Sequence, residues 1–279
     1  MELKIIKHVQ EIKDNYENAL IHGDCLTIME HLPANTYSMV FIDPPYFLQL
    51  PKKQLKRWKS NTQVSGVEEH WDQFASFEEY DKFVVEVLNK VKRLMKDNAT
   101  IWVIGTYHSL YRWGKIMQDM GFWILNDVIW LKSNPMPNWL GVRFTNATET
   151  LIWATKNKTA KDYIFNKEQA KVFGIGKVYE NVWKIPICSG SERVKDEQGQ
   201  KVHPTQKPIE LLKRVILTST KENDLILDPM AGIGTTGVSA YLLGRKFTII
   251  EREDKYVKWI EKRFKDLKDL NDGIYNNKY

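Results

Sequence analysis

The chain has 279 residues, 43% hydrophobic and 27% charged, a composition that excludes disordered and collagen-like classes and needs no covalent staples to hold its core. Its two cysteines, Cys25 and Cys188, exclude a disulfide framework or a four-cysteine zinc site and point to a reducing cytoplasm, and no apolar run approaches the ~20 residues of a bilayer span. Forty-one basic against 35 acidic residues give a net charge of +6, which suits a polyanionic partner.

In chain order, Asp24 stands where it would cap a helix beginning near Leu26. Tyr37–Ile42 predicts a strand that runs into Asp43-Pro44-Pro45-Tyr46. Phe47–Ala75 is polar, basic and weakly periodic, and predicts a mobile loop. Five of its eight residues from Lys52 to Lys59 are basic. Ser76-Phe77-Glu78-Glu79 is a capping-box sequence, opening a helix with Phe83, Val84, Val87, Leu88, Val91 and Leu94 on one face. A strand at Thr100–Gly105, a helix at Leu110–Met120, and strands at Phe122–Leu131 and Thr150–Ala154 follow. Lys156–Lys201 is charged and glycine-dotted, with strand-like pieces around Val178 and Val182, and reads as an insertion outside the main sheet. Pro208 predicts the first position of a helix carrying Ile209, Leu212, Val215 and Ile216. Strand Leu225–Leu227, a glycine-rich loop, helix Thr236–Leu243, strand Phe247–Ile250 and an amphipathic terminal helix complete the chain. Alternating strands and helices predict an α/β fold with an open, mostly parallel twisted sheet flanked by helices. The ten tryptophans are expected to fill the core more than to stack on bases.

Two segments carry chemistry. In Asp228-Pro229-Met230-Ala231-Gly232-Ile233-Gly234-Thr235-Thr236-Gly237 the glycines let backbone approach a ligand closely, and Glu251, ending the next strand, can accept hydrogen bonds from a ribose diol. NAD and S-adenosylmethionine both carry that ribose, so this unit alone leaves a dehydrogenase open. Asp43-Pro44-Pro45-Tyr46 ends a strand, where open α/β sheets place their ligands. Its prolines fix the backbone and remove two donors. A carboxylate, a fixed carbonyl and an aromatic face together suit a planar ring bearing an amino group. The six histidines form no HExxH or Cys/His set, so no metal is expected.

The tetrapeptide, then His203-Pro204-Thr205-Gln206-Lys207-Pro208, then Asp228–Thr236, together resemble the amino-group DNA methyltransferases, and their order resembles the β class. The resemblance runs from His22-Gly23-Asp24 to Glu251. Asn134–Asn138 and Arg143–Ala147 are similar to segments of adenine-specific members, whereas Met230 and Ile233 stand where the family usually has Phe and Ser. The resemblance implies a Rossmann-like fold with permuted motif order, and methyl transfer from S-adenosylmethionine to N6 of a flipped-out adenine in double-stranded DNA. It makes Asp43, Pro44, Pro45 and Tyr46 catalytic, with the amine held by Asp43 and the Pro44 carbonyl. It puts Asp24, His203, Thr205, Lys207, Asp228, Pro229, Met230, Ala231, Gly232, Gly234, Thr235, Thr236 and Glu251 around the cofactor, with Lys207 near the methionine carboxylate. Lys52, Lys53, Lys56, Arg57, Lys59 and Arg143 are the expected DNA contacts. On this reading the chain is one methyltransferase domain, 1–279. Residues 22–155 form a catalytic half, 47–75 a DNA-contact loop, 156–201 a target-recognition insertion and 203–279 a cofactor half. A bacterial, archaeal or phage origin, a homodimer and a separately encoded restriction endonuclease accompany it. N4-cytosine methylation is the near alternative, and a non-catalytic DNA-binding module the distant one.

Overall fold

A computed structural model describes residues 2–48, 55–56, 63–64, 72–138, 141–173 and 179–269. Strands β1 (Lys4–Ile6) and β2 (Ala19–His22) lead into helix α1 (Cys25–His31) and strand β3 (Tyr37–Ile42). A short antiparallel pair, β4 (Leu55–Lys56) and β5 (Gln63–Val64), precedes helix α2 (Phe77–Leu94), strand β6 (Met95–Gly105) and helix α3 (Leu110–Asp119). Strands β7 (Trp123–Lys132) and β8 (Thr148–Thr155), helix α4 (Lys167–Phe173) and strand β9 (Val182–Ile185) follow. Helix α5 (Ile209–Ser219), strand β10 (Leu225–Asp228), helix α6 (Thr235–Leu242), strand β11 (Lys246–Glu251) and helix α7 (Asp254–Asp269) complete the described fold.

Nine strands make one sheet in the order β1-β2-β11-β10-β3-β6-β8-β7-β9. Only the β6–β8 and β8–β7 pairings are antiparallel, so the sheet is mixed and mostly parallel. Strands buried on both faces read as continuous apolar runs, and β3 is buried throughout. Its residues alternate sides: Val40 and Ile42 join the core beneath α1, α2 and α3, while Met39 and Phe41 join the core beneath α5, α6 and α7. Trp102, Trp113, Trp130, Trp153 and Trp183 are buried, and Trp102 stacks on Trp153 with ring centroids 5.2 Å apart. Five of the seven described tryptophans thus fill core, as expected, while Trp123 is 47% exposed.

Helix ends follow the sequence closely. Ser76 caps α2, its hydroxyl accepting from the Glu79 amide at 3.2 Å, while the Glu79 carboxylate reaches back to the Ala75 amide rather than that of Ser76. Pro208 is the cap of α5, one residue earlier than expected. A larger correction concerns 156–201. β9 pairs in parallel with β7 and forms an edge of the main sheet. The segment is therefore partly integral to the sheet, because Trp183 and Ile185 bury against the Trp102 cluster; Val178 lies outside the described residues. β1, β2 and α4 went unread because they are short and carry weak periodicity. No helix among the described residues is long and apolar enough to cross a membrane.

Candidate active site

The strands β2, β11, β10 and β3 are adjacent and parallel. Their carboxyl ends place Asp24, Glu251, Asp228 and Asp43 along one edge, around a cavity of about 380 Å³ that all four line. This is the crevice where open α/β sheets bind ligands. Tyr46, His203, Thr205, Lys207, Met230 and Gly232 line the same cavity, so residues far apart in sequence are gathered there, whereas Gly234 is not among the lining residues.

At its glycine end the cavity is shaped by backbone. Gly232 and Gly234 have φ of +57° and +74°, the left-handed region that favours glycine. A Cβ on Gly232 would come 3.2 Å from His203 Nε2, and one on Gly234 3.0 Å from Ile260. Arg263 of α7 steadies the loop, donating to the Ile233 carbonyl at 2.6 Å and the Thr235 hydroxyl at 3.3 Å. Gly237 lies inside α6, where a Cβ would meet Ile249 at 2.9 Å, so this third glycine serves helix–strand packing.

Two carboxylates here pair with no cation among the described residues. Burial pushes Asp228 up to about 7, against a hydrogen bond from Thr236 and one from the Met230 amide. Burial likewise pushes Glu251 up to about 7, although the Glu253 amide donates to it at 2.7 Å. His203 is buried and held neutral, pushed down to about 3 by burial and by nearby Lys207 and Arg193. Its Nδ1 accepts from the Thr205 amide at 3.2 Å. Asp24 both lines the cavity and caps α1, accepting from the Thr27 amide at 3.1 Å. Cys25 also lines the cavity, beside Asp24; burial and then the Asp24 charge push its thiol up to about 12, so it stays protonated.

The other end is built from charge. Lys207 lies 2.8 Å from Asp43 Oδ2 and 3.8 Å from Glu149, and Lys132 lies 2.9 Å from Glu149. The Tyr46 hydroxyl donates to Glu149 at 3.0 Å, and the Lys207 ammonium sits 5.1 Å from the Tyr46 ring centroid. Burial raises the Asp43 carboxyl, and Lys207 opposes that rise. Burial works against the Lys207 ammonium, but Asp43 and Glu149 outweigh it and hold it above the usual lysine range. Glu149 is also penalised by burial, yet Lys207 and Lys132 keep it below the usual carboxylate range. Lys207 thus sits on the tetrapeptide's carboxylate while lining the cavity it shares with the glycine loop. Glu149 and Lys132 escaped the sequence reading; the signal was an acidic residue at the rim of an otherwise apolar strand.

The tetrapeptide's backbone is fixed from behind. The Tyr80 hydroxyl donates to the Pro45 carbonyl at 2.7 Å, and Trp113 Nε1 donates to the Tyr80 hydroxyl at 2.8 Å. Phe47 then adopts φ of +48°, and Asp72 accepts the Phe47 and Leu48 amides at 2.7 and 3.0 Å. One carboxylate thereby ties the start of the 47–75 segment to its end. Lys52, Lys53, Arg57 and Lys59 lie outside the described residues, and Lys56 is described only as part of the β4 backbone. Arg143 lies on the same edge of the sheet, in the β7–β8 connection, and donates to the Tyr107 hydroxyl at 3.1 Å.

A family model described as DNA methylase, of the N6/N4 methyltransferase type, matches residues 37–262. The Type II methyltransferase M.HinfI of Haemophilus influenzae is 45% identical over 260 residues, covering 93% of this chain and 72% of that protein. Type II methyltransferase M2.LlaDCHI of Lactococcus lactis subsp. cremoris is 42% identical over 249 residues, 88% of this chain and 89% of that one. Among solved structures, M1.HpyAVI in complex with SAM superposes with a TM-score of 0.62 at 24% identity, covering 94% of this chain and 99% of that one. The cytosine-N4-specific PvuII DNA methyltransferase gives 0.67 at 19%, covering 93% and 87%. At such identities these two likenesses bear on the fold, while the family model spans the tetrapeptide, the Lys207 segment and the glycine loop together. The chain belongs to the N6/N4 DNA methylase family.

Proposed function

We propose that this protein transfers a methyl group from S-adenosylmethionine to N6 of an adenine flipped out of double-stranded DNA. The observation that carries the reading is the placement of Asp43 and Tyr46 on the same cavity as the glycine loop and Glu251. The residues present fit the cofactor: the loop has no Cβ at Gly232, where one would crowd His203 on the cavity wall. A buried carboxylate at Glu251 suits a ribose diol, whose hydroxyls would stabilise its ionised form. When bound, S-adenosylmethionine supplies an electrophilic sulfonium methyl group.

The chain's own residues do the rest. The N6 lone pair is delocalised into the purine, so the amine is a poor nucleophile. Asp43 accepts an N–H from it, favouring a pyramidal nitrogen and stabilising the positive charge that develops there. The Pro44 carbonyl accepts the second. Tyr46, fixed by Glu149, stacks on the base and offsets part of an unstacking cost of a few kcal/mol. Holding nitrogen and methyl in line is the other large contribution. The amine's own lone pair takes the methyl group, so no covalent enzyme intermediate is needed.

Adenine is preferred to cytosine because Asp, and not Ser, heads the tetrapeptide. The remaining assignments extend this reading: Lys52, Lys53, Lys56, Arg57, Lys59 and Arg143 to phosphate and groove contact, residues 156–201 to target recognition, a homodimer as the acting form, and a separately encoded endonuclease as its counterpart. Expression in a methylation-deficient host, followed by modified-base sequencing and nucleoside mass spectrometry, tests it. N6-methyladenine at one sequence motif is the expected result. N4-methylcytosine there would replace the adenine assignment, and no new modified base would remove the activity.

A further inference from the structure

Four charged side chains from four separate segments alternate in sign behind the tetrapeptide: Asp43 after β3, Lys207 before α5, Glu149 in β8 and Lys132 at the end of β7. All are largely withdrawn from water; the Lys207 side chain is 6% exposed and that of Glu149 12%. An isolated ion in such a place neutralises, whereas a paired one stays charged. Tyr46 joins the array through Glu149, to which its hydroxyl donates, and through Asp43, whose ionised form it also favours. The other charged groups acting on it are Asp228, which ends the neighbouring strand β10, and Arg193, which disfavours the Lys207 charge. His203 is neutral.

We propose that Lys207 is the positioning residue for Asp43: its ammonium holds Oδ2, keeps the carboxylate ionised and leaves Oδ1 for the target amine, with Glu149 and Lys132 anchoring the ammonium from behind. The proposal rests on the methyl-transfer reading and gives Lys207 a role on the substrate side of the cavity. Lys207 and Glu149 have opposite effects on Asp43. Removing the Lys207 charge makes Asp43 harder to ionise. Removing the Glu149 charge relieves repulsion on Asp43 and makes it easier to ionise. Glu149→Gln retains a carbonyl oxygen to accept from the Tyr46 hydroxyl, so its charge is tested apart from its hydrogen bond.

The experiment measures single-turnover transfer of tritiated methyl to unmethylated genomic DNA at saturating cofactor, from about pH 5 to about pH 9. Asp43 must be ionised to act, so a raised pKa moves the acid limb of the profile upward. Lys207→Met should move that limb up by at least ~1 unit, a ~10-fold loss at a pH just below it, while Lys207→Arg restores it. Glu149→Gln should move it down. Cofactor affinity by calorimetry should stay within ~3-fold in every variant, since about 0.6 kcal/mol corresponds to that factor. Titration of ¹³C-labelled aspartate, assigned with Asp43→Asn, should show the same opposite shifts without turnover. Lys207→Met weakening cofactor binding with the acid limb unmoved would overturn the proposal, as would limbs shifting in the same direction in Lys207→Met and Glu149→Gln. Should the wild-type protein transfer no methyl, the functional reading fails, and the aspartate titration still decides the role of Lys207. Where Lys207→Met does not fold, the direction of the Glu149→Gln shift decides it.

Discussion

The two ends of the cavity are made by opposite means. The glycine end is built on one local segment, Asp228–Thr236, shaped by backbone torsion, with Glu251 beside it, and the buried carboxylates Asp228 and Glu251 pair with no cation among the described residues. The tetrapeptide end is assembled from β3, β7, β8 and the segment before α5, and each of its carboxylates is paired with a lysine. The difference follows from what each end is proposed to do. A carboxylate that receives ribose hydroxyls is stabilised as an anion by its ligand, so burial can hold its pKa up until that ligand arrives. A carboxylate that must stabilise charge on a reacting amine has to be ionised beforehand, because a preorganised site avoids reorganisation at the moment of reaction.

That contrast breaks most sharply at Asp43. Asp43→Ala should lower methyl transfer by at least ~10²-fold, the scale of removing one preorganised charge-stabilising group, with cofactor affinity by calorimetry nearly unchanged. Near-normal turnover would remove the proposed chemistry. Glu251→Ala should act at the other end, weakening cofactor binding by about 1–3 kcal/mol, as charged hydrogen bonds do; equal affinity would reject the ribose contact.

The unpaired state of Glu251 also has a pH signature. Its folded pKa of about 7 lies above the ordinary 4.5. Stability from this group is thus fully present below the ordinary value and is lost as pH rises through about 7, to an extent of roughly 3 kcal/mol. Without cofactor, the melting temperature should fall across that window more in the wild type than in Glu251→Gln, and cofactor should bind more tightly as pH rises through it in the wild type only. Parallel melting curves would show that Glu251 does not carry this penalty. Gly234→Ala tests the backbone: the left-handed torsion costs about 1–2 kcal/mol, and the new Cβ stands 3.0 Å from Ile260. Chemical denaturation should show reduced stability; an unchanged value would mean that the loop tolerates a side chain there. Smallest of all, Asp24→Ala should cost about 1 kcal/mol through the lost α1 cap. A drop in cofactor affinity beyond that would place Asp24 in the pocket's working surface as well as in the helix.

The sequence by itself determined the alternation of elements, the strand at Tyr37–Ile42, the cap at Ser76, and both motifs that line the cavity, because each is written in adjacent residues under local rules of periodicity, torsion and capping. It also drew together His203, Thr205 and Lys207 as cavity residues. It did not say what Lys207 touches. A lysine before a helix can reach toward several groups, and the choice between a ligand and Asp43 depends on where β3 and β8 bring their carboxylates. Glu149 and Lys132 were invisible for the same reason: a charged residue at a strand end reads as a solvated rim until pairing in the sheet encloses it. The place of β9 in the main sheet likewise required tertiary structure, since a four-residue strand gains its identity from the partner it pairs with. Local patterns act over a few residues, while ion pairing and strand addition depend on distances set only by the packed fold.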